Sequence, residues 1–441
     1  MRARILLLSL QAVLVFLAEP AKAAETSDLK LEDVVRRQGA QIRKLTAEVE
    51  HLRKRPADDR SALDQEVKRY LAADTTPGER APGSRKSGLV GGLVRLGGYF
   101  SLEYRDDGEG AKGEFDFHRL VLKVQSDVGE GIRFETEIEI EGGGAGPEFL
   151  DDNEILVEYA ELSFDLVEDK LIFKVGALLV PWGRFNQFHD DPLNELTDRP
   201  LVARRIAAAA FDQPGVGIEG TFEPLEGWFL DYDVALVQGF ADGFSTSGGV
   251  RGARQGFRSD NNENKQVFGR FVVSPPLEAV DVLELGASFT YGKYDAAGQL
   301  SDYGFGLDLF AKRGPFQVTA EYMNLRIEQP AGAADSQPRR MDGWYVEVSY
   351  HFFPAPWRGK HGLFGEESTF ALIVRVEGLD LNDRTRGTTF RDDLDQVTFG
   401  FDFRPVQRTV FKISYTFVDS DAAGFGGGAA DRFLMSWASY F

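Results

Sequence analysis

The 441-residue sequence has no cysteine, four methionines and five histidines. Without cysteine the chain can form neither a disulfide scaffold nor a thiolate metal site. This composition fits an envelope protein that crosses an oxidising compartment before it folds. The sequence also lacks an apolar run of the ~20 residues that a membrane-spanning helix needs. A mature chain of this kind can enter a membrane only as strands.

Positive charge is scarce relative to negative charge, because 50 Lys and Arg face 70 Asp and Glu, giving a formal charge of −20. This balance argues against nucleic acid as a partner. Acidic surface loops are compatible with the divalent cations of a lipopolysaccharide layer. The charge by itself does not identify a partner; the barrel pattern of residues 91–441 makes outer-membrane lipid and lipopolysaccharide the expected neighbours.

The N-terminus has the layout of a secretory signal peptide, expected over residues 1–23. Arg2 and Arg4 precede an apolar run from Ile5 to Ala18, and small residues follow at Ala21 and Ala23. The apolar run is too short to cross a bilayer, so it is expected to be cleaved off.

Residues 24–72 are predicted to form a short α-helical coiled coil, placed in the periplasm. Its seam alternates spacings of four and three residues: Leu31, Val35, Gln38, Ile42, Leu45, Val49 and Leu52. The β-branched residues in the seam favour a parallel dimer. A single amphipathic helix packed on its own domain is the alternative. Residues 73–90 are polar and rich in Pro and Gly, as in a flexible linker.

Residues 91–441 show the period-two alternation of strands. For example, Ile132, Phe134, Ile138 and Ile140 alternate with Arg133, Glu135, Glu137, Glu139 and Glu141. Sixteen such runs occur, which predicts an all-β protein whose main domain is a 16-stranded antiparallel transmembrane barrel. An even strand number brings both barrel ends to the same side.

The connections between these runs support the barrel. Long connections are expected at 179–214, 239–264, 327–341, 379–393 and 419–430, and they all join strands at the same end. The opposite end has short turns, except for 354–367. A soluble sandwich is the alternative, but aromatic residues near strand ends favour the interfacial girdles of a membrane barrel. The last strand is expected to carry Phe433, Met435, Trp437 and Phe441 on one face.

Several spaced Gly and Pro motifs resemble the phosphate-selective porin family of outer-membrane channels. They are Leu171–Gly176, Val180-Pro-Trp-Gly183, His189-Asp-Asp-Pro192, Asp198-Arg-Pro-Leu201 and Gly215–Gly220, followed by Asp260–Lys265, Gly269-Arg270 and Pro275-Pro276. The terminal Phe441 resembles the assembly signal of such barrels. The coil is similar to that of a trimeric branch that takes up dicarboxylic acids.

The resemblance implies homotrimers, a long third loop folded into the lumen, and cationic side chains that select small anionic solutes. A channel of this kind is expected to filter solutes by charge and size, without enzyme activity and without a cofactor. The dimer-favouring heptads conflict with a trimer, which we favour because contacts between barrels are much larger than those of the coil. The constriction-loop candidates are Arg184, Arg199, Arg204 and Arg205. For Arg199, pairing with Asp190, Asp191 or Asp198 is the structural alternative.

Alternation also places charges on the inner wall. The cationic candidates are Arg95, Arg119, Lys123, Arg133, Lys174, Arg270, Arg375, Arg404 and Lys412. The acidic ones are Glu103, Glu135, Glu137, Glu139, Asp231, Asp233, Glu284, Glu321, Glu347 and Asp402. Because the two signs nearly balance, ion pairs that brace neighbouring strands are as good an explanation for any one residue as selectivity.

The sequence therefore predicts a porin in the outer membrane of a Gram-negative-type cell. It would pass small hydrophilic solutes, with phosphate or small carboxylates favoured. A structural protein that contacts the cell wall through its coil is the alternative, for which basic residues such as Arg36, Arg43 and Lys54 are suited. A hydrolase built on Ser349 and His351 has only weak support.

Overall fold

The computed structural model describes residues 94–106, 108, 112–142, 155–334, 337–360, 362–382, 393–420 and 431–441. The expected signal peptide, coiled coil and linker lie outside the described residues. The described part of the barrel domain begins at Val94.

Within the described residues, sixteen strands form one closed antiparallel barrel in which each strand pairs with its neighbours in sequence and β1 pairs with β16. The first eight are β1 Val94–Asp106, β2 Glu114–Gly129, β3 Ile132–Glu141, β4 Ile155–Val167, β5 Leu171–Leu179, β6 Asp212–Leu225, β7 Trp228–Val237 and β8 Gln266–Ser274. The others are β9 Val282–Lys293, β10 Ser301–Arg313, β11 Phe316–Ile327, β12 Arg340–Phe352, β13 Thr369–Asp380, β14 Asp393–Val406, β15 Thr409–Ser420 and β16 Arg432–Tyr440. The predicted number and antiparallel order of strands are confirmed.

The seam between β1 and β16 closes the barrel at the C-terminus. Tyr99 lies opposite Tyr440 in register, and the Phe441 amide donates a hydrogen bond to the Gly98 carbonyl over 3.0 Å. Gly98 has φ +154°, and a Cβ there would lie 2.0 Å from the Val121 carbonyl oxygen. Pairing of β1 with its other neighbour, β2, therefore requires glycine at this position.

The two faces of the wall follow the period-two pattern. The outer face exposes large apolar side chains, among them Phe100, Leu285, Leu307 and Phe399. The inner face carries charged side chains that are nevertheless buried, among them Glu137, Lys174, Glu321 and Arg375. Among the described residues, none of the helices is long and apolar enough to cross a bilayer.

The inner face is buried because chain from two connections packs inside the barrel. Residues 180–211, which we call the inward loop, join β5 to β6. Its Trp182, Ile206 and Phe211 are fully buried in a core shared with Phe268 of β8 and Met323 of β11. The connection between β7 and β8 adds its own side chains to that core, including Phe240, Val250 and Ala253. The apolar core of the barrel thus lies in its interior, around the inward loop.

Candidate functional site

The inward loop begins with a turn that ties it to β9 and β11. Gly183 has φ +82°, a left-handed conformation that favours glycine. The Arg184 amide donates to Glu321 Oε1 over 2.7 Å, and its guanidinium donates to Glu284 Oε2 over 2.6 Å. That guanidinium also stacks on Phe310, 4.4 Å from the ring centre. The structure therefore places Arg184 in an anchor of the loop.

A second attachment joins the loop to β1, β2, β4 and β16. His189 Nε2 lies 2.7 Å from Glu158 Oε1. Asp190 accepts hydrogen bonds from Lys123 Nζ at 2.7 Å and from the Tyr440 hydroxyl at 2.8 Å. Asp191 accepts one from the Ser101 hydroxyl at 2.6 Å, and Arg119 Nε lies 3.4 Å away. We call these side chains the clasp: Ser101, Arg119, Lys123, Glu158, His189, Asp190, Asp191 and Tyr440.

Opposite charges inside the clasp decide the ionisation of its loop residues. Burial alone would raise the pKa of Asp191, but the Arg119 guanidinium holds that pKa well below its usual range. Burial alone would lower the pKa of His189, but the Glu158 carboxylate reverses this and raises it. The clasp is therefore a charge-compensated attachment at neutral pH.

The loop then crosses to the strands on the other side of the seam. Lys412 Nζ of β15 donates to the Asp191 carbonyl over 2.6 Å, and Arg404 of β14 donates to the Pro192 carbonyl over 2.7 Å. Farther along, the Leu201 amide donates to Glu377 Oε2 of β13. Since strands around the whole circumference bind the loop, it lies across the lumen.

Six arginines gather where the loop turns back toward β6. They are Arg199, Arg204 and Arg205 of the inward loop, Arg251 and Arg254 of the connection between β7 and β8, and Arg432 of β16; we call them the arginine cluster. The Val250 amide donates to the Arg205 carbonyl over 2.8 Å, which docks the second connection on the first. Arg254 donates to the Ala208 carbonyl over 3.2 Å.

Like charges in this cluster act on one another. Burial, then the neighbouring Arg204, Arg251 and Arg432, lower the pKa of Arg205 to about 10. The pKa of Arg251 is lowered in the same way, by burial and then by Arg254, Arg199 and Arg204. A pKa of about 10 leaves Arg205 charged at neutral pH, and six guanidiniums so close together concentrate positive charge.

Carboxylates offset only part of that charge. Asp198 lies 3.1 Å from Arg432, 3.6 Å from Arg204 and 3.7 Å from Arg105. Although Asp198 is buried, these guanidiniums lower its pKa to about 2. Arg199 instead donates to the Ala209 carbonyl over 2.7 Å. Among the described residues, Arg199 Nη2 and Arg432 Nε are buried without a hydrogen-bond partner, so donors remain for an oxygen ligand.

Sequence reasoning missed Arg251, Arg254 and Arg432 as members of this cluster. A usable signal was present for the first two, because residues 239–264 are a long connection at the same end of the barrel as 179–214. Arg432 stands at the predicted start of the last strand, where alternation turns it inward. No local pattern indicates that Arg432 meets Arg204 at Asp198, or that Arg251 lies near Arg199.

The structure places the wall candidates on the inner face, mostly next to acidic partners. Their charged contacts with other wall residues are Arg119 to Glu139 at 2.6 Å, Lys123 to Glu137 at 3.0 Å, Lys174 to Asp233 at 2.8 Å, Arg270 to Asp308 at 2.7 Å, Arg375 to Glu377 at 2.8 Å, and Arg95 to Asp127 at 3.6 Å. Lys412 and Arg404 bind loop carbonyls as described, and Arg133 stands on β3 opposite Ser163. The Arg119 and Lys123 pairs join the neighbouring strands β2 and β3, whereas the Lys174 and Arg270 pairs each reach across one intervening strand.

Other chemistry has less support from the described residues. They contain no group of three or more His, Asp or Glu side chains arranged to hold a metal ion. Ser349 and His351 both face inward on β12, and His351 Nε2 lies 3.4 Å from Glu195 of the inward loop. This contact ties the loop to the wall.

The comparisons with known proteins agree with the barrel fold. The sequence model of the family described as phosphate-selective porin O and P matches residues 95–307. That part of the chain is therefore similar to this porin family. The match spans β1 to β10 and includes both the inward loop and the connection that carries Arg251 and Arg254. The family match and the barrel fold together support an outer-membrane porin channel.

Individual relatives are more distant. An uncharacterized protein of Aquifex aeolicus (strain VF5) is 26% identical over 279 residues, covering 58% of this chain and 61% of that protein. The alignment thus spans less than two thirds of the relative. Among solved structures, Salmonella typhi OmpF in complex with daunomycin has a TM-score of 0.53 at 10% identity, covering 79% of this chain and 97% of its own. Pseudomonas putida OprB at high pH has a TM-score of 0.50 at 9% identity, covering 79% and 94%. These likenesses show the barrel fold.

Proposed function

We propose that this porin passes small hydrophilic solutes by passive diffusion and favours anions such as phosphate or small carboxylates. The observation that carries this proposal is the arginine cluster, in which six guanidiniums from three chain segments meet and Asp198 offsets only part of their charge. Its position beside a loop that crosses the lumen makes it the expected constriction.

The chemistry of the guanidinium suits this role. It presents planar, paired donors that match the oxygens of phosphate and carboxylate. A permeating anion that loses water between the loop and the wall can replace that water with donors such as Arg199 Nη2 and Arg432 Nε. Asp198 competes for the same guanidiniums, which keeps the anion weakly bound and able to leave.

Planar-bilayer recordings in a salt gradient test this proposal. The unaltered porin should give an anion-selective reversal potential, and Arg204→Ala with Arg205→Ala should shift it toward cations. Arg326→Ala is the control, because it removes a positive charge that is exposed on the outer face beside Tyr303. It should leave the reversal potential unchanged. A cation-selective reversal potential that does not change when Arg204 and Arg205 are replaced would overturn anion selectivity. A barrel without conductance would favour a structural protein that contacts the cell wall through its coil.

The assembly of the protein is a separate proposal. We infer a homotrimer in the outer membrane whose residues 24–72 form a periplasmic coiled coil, joined to the barrel through residues 73–90. This rests on the heptad spacing and on the resemblance described above. Deleting residues 24–72 and measuring the mass of the folded complex tests whether the coil sets the oligomeric state. An unchanged trimer would assign assembly to the barrel, and a monomer would assign it to the coil.

A further inference from the structure

The connection between β12 and β13 is the long one at the end of the barrel where the other described turns are short. Its described residues, 353–360 and 362–368, fold back against the outside of the barrel, and we call them the aromatic turn. A short helical turn, Ala355–Trp357, begins it. The Gly359 amide donates to the Phe364 carbonyl over 2.6 Å, and Ser368 Oγ donates to the Pro405 carbonyl over 2.9 Å. The aromatic turn is therefore a built structure fixed to the neighbouring turn.

Stacked rings join this turn to the outer wall. Phe370, on the outer face of β13, lies 5.2 Å from Phe353 and 6.0 Å from Trp357 between ring centres. It lies 4.9 Å from Phe403 on the outer face of β14. The rings of the turn thus continue the apolar surface that the strands present to lipid.

The outermost side chains of the turn are apolar, yet they are exposed. Trp357 is 48% exposed and Leu363 is 60% exposed. Two cations follow within three residues of Trp357, Arg358 and Lys360, and both are exposed. The Arg358 guanidinium lies over Phe353, 4.8 Å from the ring centre. Tryptophan beside cations is the combination that sits at the level of lipid headgroups.

Charge at this end of the barrel is unevenly distributed. The turns and strand ends from β2 to β9 are mainly acidic, with Asp127, Glu130, Glu168, Asp169, Glu223, Glu226, Glu278 and Asp281 against Arg133 and Lys170. From β10 to β15 the same level carries Arg313, Arg358, Lys360 and Arg408. Glu366 and Glu367 stand at the far end of the aromatic turn, beside the start of β13. An anionic surface would therefore be attracted to the sector around Trp357 and repelled elsewhere.

We propose that the aromatic turn is a lipid-binding site, in which Trp357 and Leu363 enter the membrane interface while Arg358 and Lys360 bind anionic phospholipid headgroups. Given the porin orientation proposed above, these lipids belong to the periplasmic leaflet. The lipid contact itself does not depend on solute selectivity. The site would fix the depth of one side of the barrel in the membrane.

The experiment uses the full chain in vesicles of phosphatidylcholine, with or without phosphatidylglycerol, that contain a phospholipid brominated near the headgroup. The fluorescence of Trp357 is obtained by subtracting the emission of the Trp357→Phe variant from that of the unaltered protein. Phenylalanine is used because it keeps an aromatic ring in the stack. We expect brominated lipid to quench this difference signal. Brominated phosphatidylglycerol should quench more than brominated phosphatidylcholine at equal mole fraction, with a local enrichment of about five-fold per cation.

Two comparisons make the result decisive. Arg358→Gln with Lys360→Gln should abolish the preference for phosphatidylglycerol while leaving some quenching. Trp228, on the acidic sector at the same end, serves as the matched control through Trp228→Phe and should be quenched without that preference.

A Trp357 signal quenched by aqueous iodide but not by brominated lipid would overturn the proposal. So would a signal shielded from both, since that would show that a second copy of the chain covers the turn. Conductance measured on the same vesicles distinguishes failure of this site from failure of the channel proposal.

Discussion

The clasp and the arginine cluster are both charged, buried and built around the inward loop, but they balance charge differently. In the clasp, the loop carboxylates Asp190 and Asp191 lie against Lys123 and Arg119 of the wall. In the arginine cluster, guanidiniums lower one another's pKa and share Asp198. The difference shows which charges hold the loop and which remain for a solute. A compensated pair stabilises structure, whereas crowded like charges need a counter-charge from outside.

Breaking the clasp should have the largest effect. Asp191→Ala leaves Arg119 and Lys412 buried without this carboxylate, and removing one partner of a buried ion pair costs about 3–5 kcal/mol. The loop should detach locally, so single-channel conductance and current noise should rise several-fold. Glu278→Ala, at an exposed turn, is the control and should change neither quantity. Unaltered conductance in Asp191→Ala would show that the clasp does not hold the loop.

The turn that starts the loop should come next. Gly183→Ala forces a left-handed conformation on a residue with a Cβ and places that atom 2.4 Å from Glu321 Oε1. Such backbone strain costs about 1–3 kcal/mol. Hydrogen exchange should increase at the Arg184 amide, which loses its acceptor, while the clasp keeps the far part of the loop protected. Exchange that rises equally throughout the loop would mean that the two attachments are not independent.

Acidification should change the charge of the arginine cluster through Asp198. Its pKa falls to about 2 in the folded protein, so its stabilisation is present above the ordinary value of 3.8 and is lost as pH falls toward 2. The full loss amounts to about 2 kcal/mol. Anion selectivity should rise over the same range, because Arg204 and Arg432 lose their counter-charge. Reversal potentials between pH 5 and pH 2 measure this.

Asp198→Asn provides the control for that titration. It should show the higher anion selectivity already at pH 7 and should lack the part of the acid step that Asp198 contributes. An Asp198→Asn porin with the same pH response as the unaltered protein would assign the step to other carboxylates.

The smallest effect is expected from the second connection. Arg251→Ala with Arg254→Ala removes two charges of the arginine cluster without touching the clasp. If these two charges attract a permeating anion by about 1 kcal/mol, the anion-to-cation permeability ratio should fall about five-fold when they are removed. Conductance should stay near its original value because the loop remains anchored. A ratio that stays unchanged would restrict the constriction to Arg204 and Arg205.

Much of the barrel could be predicted because strands are local. The period-two alternation marks Ile132–Glu141 and its fifteen counterparts, and the lengths of the connections mark the two ends. The exception at 354–367 was also visible, yet its role depends on Phe370 and Phe403 lying beside it. The prediction that Phe433, Met435 and Trp437 share one face of the last strand is also confirmed, since the alternate residues Leu434 and Ser436 are buried on the other face.

The site could be predicted less well. Arg184 and Arg204 look equivalent in the loop sequence, but Arg184 meets Glu284 and Glu321, which lie about a hundred or more positions later in the chain. Arg204 turns back toward Asp198 and the arginine cluster. Partners that far apart in sequence leave no periodic signal, so neither assignment could be read from the loop.

By itself the sequence determined the wall of this protein, because alternation, strand count and turn placement are set by the chemistry of neighbouring residues. Only the tertiary structure decided the interior. Which charges cancel and which remain depends on distances of about 3–4 Å between segments that closure of the barrel brings together, and charge interactions weaken with separation. The same residues on an open sheet would carry the same net charge without a clasp or an arginine cluster.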